Sequence, residues 1–156
     1  MADHLSKAGV APFDEHPLLD TLVQVSFKLT AILTQVAAAN GLSLTQLRLL
    51  AILRDREPAM SELAHHLGLD RSSVSGLIDR AAQRDLVQRI PSDLDRRSTR
   101  VALTARGRTF AAELTKDIAA RTDHLTGELS PQEQEGLARL LLCVLHSRPT
   151  ETPAAT

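Results

Sequence analysis

The chain has 156 residues, 43% hydrophobic and 24% charged, which suits one globular domain and excludes both a disordered polymer and two folds of ordinary size. Its three aromatic residues, Phe13, Phe27 and Phe110, leave a core of Leu, Val, Ile and Ala, which favours helices over a β-sandwich. A net charge of −1 excludes a protein that coats nucleic acid indiscriminately, the longest apolar runs fall short of the ~20 residues of a membrane span, and the single cysteine excludes an intrachain disulfide.

Residues 1–13 and 147–156 lack periodicity and are expected to be flexible tails around an ordered stretch, 14–146. Leu18, Leu22, Val25, Leu29, Ile32 and Val36 recur at spacings of four and three, placing them in one stripe on a long first helix that Asn40-Gly41 stops. A stripe this regular serves either the core or a partner helix. Ser43-Leu44-Thr45-Gln46 matches a capping box and opens a second helix with Leu47, Leu50, Ala51 and Leu53 inward, ending before Pro58. A short helix from Met60 to Leu67 and a longer one from Arg71 to Arg84 follow, separated by Gly68-Leu69-Asp70. Leu86–Ile90 and Thr99–Leu103 read as extended segments of a hairpin with a charged tip, Thr99, Val101 and Leu103 alternating with Arg100 and Ala102. Thr104 caps a fifth helix to about Leu129, and Ser130-Pro131-Gln132-Glu133 opens a sixth carrying Leu137, Leu140, Leu141, Val144 and Leu145. The expected fold is mainly α, six helices with a small β-hairpin.

Charge is distributed unevenly. From Arg71 to Arg108 there are nine arginines against four aspartates, leaving nine bases and fifteen acids elsewhere. A basic centre in an acidic frame points to a local anionic partner, because attraction to phosphate acts over a Debye length of about 10 Å.

The helix pair in that region has the features of a helix-turn-helix. A reading helix held steeply against a supporting one needs small residues at the crossing and a tight turn, which Ala64 and Gly68 supply. Asp70 is placed to cap the second helix, whose buried stripe is Val74, Leu77, Ile78 and Ala81. Its other side carries Arg71, Ser72, Ser73, Ser75, Gly76, Asp79 and Arg80; short hydroxyls beside arginine suit entry into a major groove, where Ser bonds base edges or phosphates and Arg bonds guanine. The hairpin tip adds Arg96 and Arg97, positioned for a neighbouring minor groove, with Asp93 and Asp95 able to hold a guanidinium in place.

Over residues 18 to 146 the sequence resembles the MarR family of multiple-antibiotic-resistance-type regulators. The resemblance rests on Ser61-Glu62-Leu63-Ala64 through Leu67-Gly68-Leu69, Val74 to Arg80, Leu86-Val87-Gln88-Arg89, Asp95-Arg96-Arg97, and Val101-Ala102-Leu103-Thr104-Ala105-Arg106-Gly107. It implies a winged helix-turn-helix homodimer, with a DNA-binding lobe at 43–103 and a dimerisation lobe from 14–41 plus 104–146. It also implies a minor-groove contact by Arg97, oriented by Asp95, and a small-molecule effector whose site the sequence does not indicate. Two positions depart from the family: Asp85 stands where Gly is usual, and Ala59 where a capping Thr is frequent, so the supporting helix is expected to start less firmly or from Ser61.

The expected partners are double-stranded DNA bearing an imperfect inverted repeat, a second copy of the chain and an effector, with no membrane, no cofactor and a cytoplasmic setting. No phosphate loop, nucleophile motif or carboxylate pair suggests an enzyme. The six histidines do not form a ligand pattern, and Cys143, near the apolar stripe of the sixth helix, reads as a buried inert thiol rather than a redox sensor. The rival readings are a winged-helix module that binds protein, and a redox- or metal-responsive regulator.

Overall fold

The computed structural model describes residues 16–91 and 99–146. Its elements are α1 (Pro17–Ala39), α2 (Leu44–Asp55), α3 (Met60–Leu67), α4 (Arg71–Gln83), β1 (Val87–Pro91), β2 (Thr99–Leu103), α5 (Ala105–Thr126) and α6 (Pro131–His146). Local hydrogen bonding sets most of the helix ends. Ser43 Oγ accepts from the Gln46 N–H at 3.1 Å, and the Gln46 side chain accepts from the Ser43 N–H at 2.8 Å, completing the capping box. Thr104 Oγ1 accepts from the Gly107 N–H at 2.9 Å and donates to the Asp85 carbonyl, so one hydroxyl starts α5 and ties it to the end of α4. That helix stops at Thr126, before Gly127, rather than reaching Leu129.

The described residues fall into two compact units, the first ending at Ala119 within α5. The core of the first is aliphatic, with Val36, Leu49, Leu63, Val74, Ile78 and Val101 fully enclosed. On α2 the buried set is Leu47, Leu49, Leu50 and Leu53, and Ala51 is exposed, against the expectation that it faces inward. The reason is that α2 touches α1, α3 and β2, so its apolar residues are covered around more than one face. The hairpin pairs Val87 with Leu103, Arg89 with Val101 and Pro91 with Thr99. Ala102, opposite Gln88, is buried beside Val101 and Leu103, so strict alternation fails; a methyl group among larger neighbours is covered whichever face it takes. Beyond the hairpin, the Val101 N–H donates to the Pro58 carbonyl at 3.0 Å and Arg100 Nε to the Glu57 carbonyl at 2.7 Å, fastening β2 to the α2–α3 connection.

Among the described residues, α1 enters this core through its C-terminal part, with Val36 and Ala37 buried and Ile32 and Leu33 packed half-buried against it. Its remaining apolar face is bare, with Leu18 72% and Phe27 69% exposed. This 23-residue helix has a window of mean hydropathy 1.4 and is long and apolar enough to cross a membrane, which the uninterrupted apolar runs do not reveal because Thr, Gln and Ser break them up.

The second unit, from Ala120, holds the last turns of α5 and all of α6. Ser130 donates through both N–H and Oγ to Glu133 Oε2, and the Ser130 hydroxyl, then its N–H, holds the Glu133 carboxyl below its ordinary pKa. No side chain of α6 is buried: Leu140, Leu141, Leu142, Val144 and Leu145 are all exposed, and so is Cys143, against the expectation that it is buried, because the apolar stripe it adjoins is itself uncovered.

Candidate nucleic-acid interface

The supporting helix α3 starts at Met60 with Ala59 in the capping position. Alanine has no side-chain acceptor, and Ser61 does not take over; instead Glu62 Oε2 accepts from the Ala59 N–H at 2.7 Å. The start is also pinned from outside, because Ala59 bridges to Arg100 of the hairpin. At its other end Gly68 is left-handed, φ 66°, with the Gly68 N–H on the His65 carbonyl and the Leu69 N–H on Ala64, the Schellman arrangement that turns the chain into α4. Leu63 and Leu67 anchor α3 in the core while Ala64 sits half-buried near the crossing.

Asp70 caps α4 by accepting from the Ser73 N–H at 2.9 Å, and it also accepts from the hydroxyls of Ser72 and Ser73. Those bonds, the Ser72 hydroxyl first and the Ser73 hydroxyl next, hold its carboxyl well below the usual carboxylate range. Sequence reasoning identified Asp70 as a cap but missed its grip on both serine side chains; the readable signal was two serines at the second and third positions after the aspartate. Val74, Leu77, Ile78 and Ala81 fill the core, as their spacing predicts.

The candidate reading residues divide over two sides of α4. Arg71 and Ser75, with Ser61, Arg89 and Thr99, line a groove of about 370 Å³ toward the hairpin. Ser72, Ser73, Gly76 and Arg80, with Ser43 and Thr45, line another of about 450 Å³ toward the start of α2. A Cβ placed on Gly76 would meet only the end of the Arg80 side chain, at 3.4 Å.

Between α4 and the hairpin, Arg89 Nη1 donates to Asp79 Oδ1 at 2.7 Å and Nη2 to Ser75 Oγ at 3.3 Å, so Ser75 and Asp79 hold the root of the hairpin. Arg84 closes the other end of α4, donating to the carbonyls of Gly41 and Asn40 with its guanidinium 5.8 Å from the Phe110 ring centroid. Asp85 follows in the left-handed conformation, φ 56°, as its position in place of a glycine requires. The tip residues Asp93, Asp95, Arg96 and Arg97 lie outside the described residues.

Known proteins share this geometry. The MarR family model matches residues 40–98, the stretch from the end of α1 to the hairpin tip. The HTH-type transcriptional regulator MgrA of Staphylococcus aureus is 34% identical over 108 residues, covering 69% of this chain and 72% of the relative. Among solved structures, RV1404 of Mycobacterium tuberculosis superposes with a TM-score of 0.69 at 26% identity, over 92% of this chain and 100% of that one. NadR in complex with 4-hydroxyphenylacetate shares the fold, with a TM-score of 0.72 at 20% identity over 89% of this chain and all of the other. With its supporting helix, reading helix and antiparallel hairpin in this order, the chain belongs to the MarR family of transcriptional regulators.

Proposed function

We propose that this regulator binds a specific duplex sequence as a homodimer in the cytoplasm, represses transcription there, and is released by a small-molecule effector. The observation that carries the reading is α4: its inner side is consumed by the core, while its outer side offers Arg71, Arg80 and a Gly76 that the protein's own packing does not require. Neither guanidinium has a partner among the described residues, so each is available for guanine O6/N7 or phosphate. Arg97 would reach the minor groove beside it, oriented by Asp93 and Asp95, with Arg96 on the flanking phosphates.

The bare apolar faces of α1 and α6 support dimerisation through residues 14–41 and 104–146, leaving 43–103 as the DNA-binding lobe. Two such lobes fit an imperfect inverted repeat with half-site centres about one helical turn apart. For the effector, an apolar recess of about 100 Å³ is lined by Leu33 of α1, Leu47 and Leu50 of α2 and Ala111 and Leu114 of α5, with Arg48 and Arg54 among its walls. Apolar walls with guanidinium groups suit an aromatic carboxylate, and the shared fold with NadR, solved with 4-hydroxyphenylacetate, supports that class. By linkage the effector must bind the DNA-free form more tightly.

The test is a footprint on the DNA flanking the gene, repeated with a panel of aromatic acids. A protected inverted repeat that one acid abolishes is expected. No protection with the wild-type chain, or protection that Arg80→Ala and Arg97→Ala together leave unchanged, overturns the reading.

A further inference from the structure

We infer that Asp70 fixes the hydrogen-bonding direction of Ser72 and Ser73, making both hydroxyls acceptors that read exocyclic amines of adenine or cytosine in the major groove. The inference rests on the DNA-binding reading above and adds the chemistry by which the start of α4 selects bases.

A serine hydroxyl has one hydrogen and two lone pairs, and its role is normally settled by whatever it meets. Here it is settled beforehand. Ser72 Oγ lies against Asp70 Oδ1 and Ser73 Oγ lies 2.6 Å from Asp70 Oδ2. A carboxylate only accepts, so both serines must donate to it, and the Ser73 N–H donates there as well. The low pKa of Asp70 keeps that carboxylate ionised across the working pH range, so the direction does not reverse. What the two hydroxyls then offer outward is lone pairs.

Acceptors cannot bond phosphate oxygens, guanine O6 or N7, or thymine O4, all of which are acceptors themselves. In the major groove the donors are adenine N6 and cytosine N4. The carboxylate reinforces the choice, since a negative charge at the first turn of α4 offsets the positive end of the helix dipole and disfavours a phosphate there. Ser72 and Ser73 face the same groove as Gly76 and Arg80, so an amine-reading start and an arginine about two turns later lie along one side of the helix.

The experiment begins with the tightest duplex that the wild-type chain selects from a random pool. Within each half-site, adenines are replaced singly by 2-aminopurine, which moves the amine out of the major groove, and cytosines by N4-methylcytosine; 7-deazaguanine serves as the control for removal of an acceptor. The inference expects about three- to tenfold weaker binding at one or two amine positions per half-site, the worth of one hydrogen bond. That penalty should vanish in the Ser72→Ala, Ser73→Ala double variant. It should fall in Asp70→Asn, which still caps the helix but whose amide donates to one serine and frees its hydrogen. Which analogue weakens binding tells adenine from cytosine. A selected duplex indifferent to every amine replacement, or a serine contribution abolished instead by methylphosphonate linkages, overturns this inference alone. Failure of the wild-type chain to select any duplex overturns the DNA-binding reading together with it.

Discussion

Gly76→Ala should make the protein more stable and its DNA complex weaker, a combination that few other readings of α4 produce. Gly76 sits six positions into a 13-residue helix, where glycine costs about 0.8–1.0 kcal/mol relative to alanine. The added Cβ would meet only Arg80 Nη1, at 3.4 Å, a flexible tip that moves aside at little cost. Most of the propensity gain should therefore appear as stability, and ~1 kcal/mol corresponds to a rise in Tm of about 2–4 °C for a chain of this size. In the proposed DNA complex the same methyl would stand between Ser72 and Arg80 against base edges, and overpacking a close-fitted surface costs about 1–3 kcal/mol, or roughly five- to 150-fold in affinity. Thermal melting followed by circular dichroism gives the first quantity, and fluorescence anisotropy with the footprinted duplex at fixed salt gives the second. Unchanged or tighter binding alongside the higher Tm would show that α4 does not present this face to DNA. A lower Tm would show that the fold itself needs the glycine.

Gly107 is the contrasting case: a Cβ there would stand 1.9 Å from the Leu86 carbonyl oxygen, so Gly107→Ala must push α5 off the start of β1 and should cost about 3 kcal/mol or more in denaturant unfolding. Val25→Glu puts a charge on the bare stripe of α1 and should shift sedimentation toward monomer while leaving the far-ultraviolet dichroism of the monomer intact; an unchanged dimer would remove α1 from the interface. Asp70 has a folded pKa below its unfolded value, so the stability it lends is complete above about pH 3.9 and is lost as pH falls through the lower folded value. A carboxyl-carbon titration by NMR checks this, and a midpoint at or above 3.9 refutes the cap geometry. In a salt series, removing Arg71 or Arg80 should reduce the slope of log K against log salt by about 0.9 for each phosphate left without its guanidinium, whereas Arg84→Met should leave it unchanged.

The helix ends were the most legible part of the fold, because a cap is a hydrogen bond between residues two or three apart and needs no knowledge of the rest of the chain. Ser43 with Gln46, Asp70 with Ser73, Thr104 with Gly107 and Ser130 with Glu133 all formed where spacing placed them. Burial was legible where an element has one covered face, as on α4, and failed where it has more. Leu49 is fully enclosed and Ala51 exposed because α2 is packed by α1, α3 and β2 together, and the order of those neighbours is not written in α2 itself. The long stripe of α1 left core and partner as alternatives, and the structure divides it: Val36 and, half-buried, Ile32 serve the core, and Leu18, Leu22, Val25 and Leu29 stay exposed among the described residues.

The sequence offered the candidate site as a list of residues and not as an arrangement, and the arginines show why. Counting placed nine of them in one basic segment, as if all faced the same partner. Arg84 holds the Gly41 and Asn40 carbonyls, Arg89 holds Asp79 and Ser75, Arg100 holds Glu57, and Arg108 donates to the Leu103 carbonyl. These four organise the lobe, since each joins segments that the chain does not connect directly or fixes the junction between a strand and a helix. A guanidinium offers five donors whether it meets a backbone carbonyl or a phosphate, so composition cannot separate the two uses. The separation has a functional consequence. Arg89 ties the hairpin to α4 and Arg100 ties it to the α2–α3 connection, so hairpin and reading helix are held in one geometry before DNA arrives. Under the proposed placement of α4 and the hairpin in adjacent grooves, the ordering cost of presenting both would be met largely in folding rather than in binding.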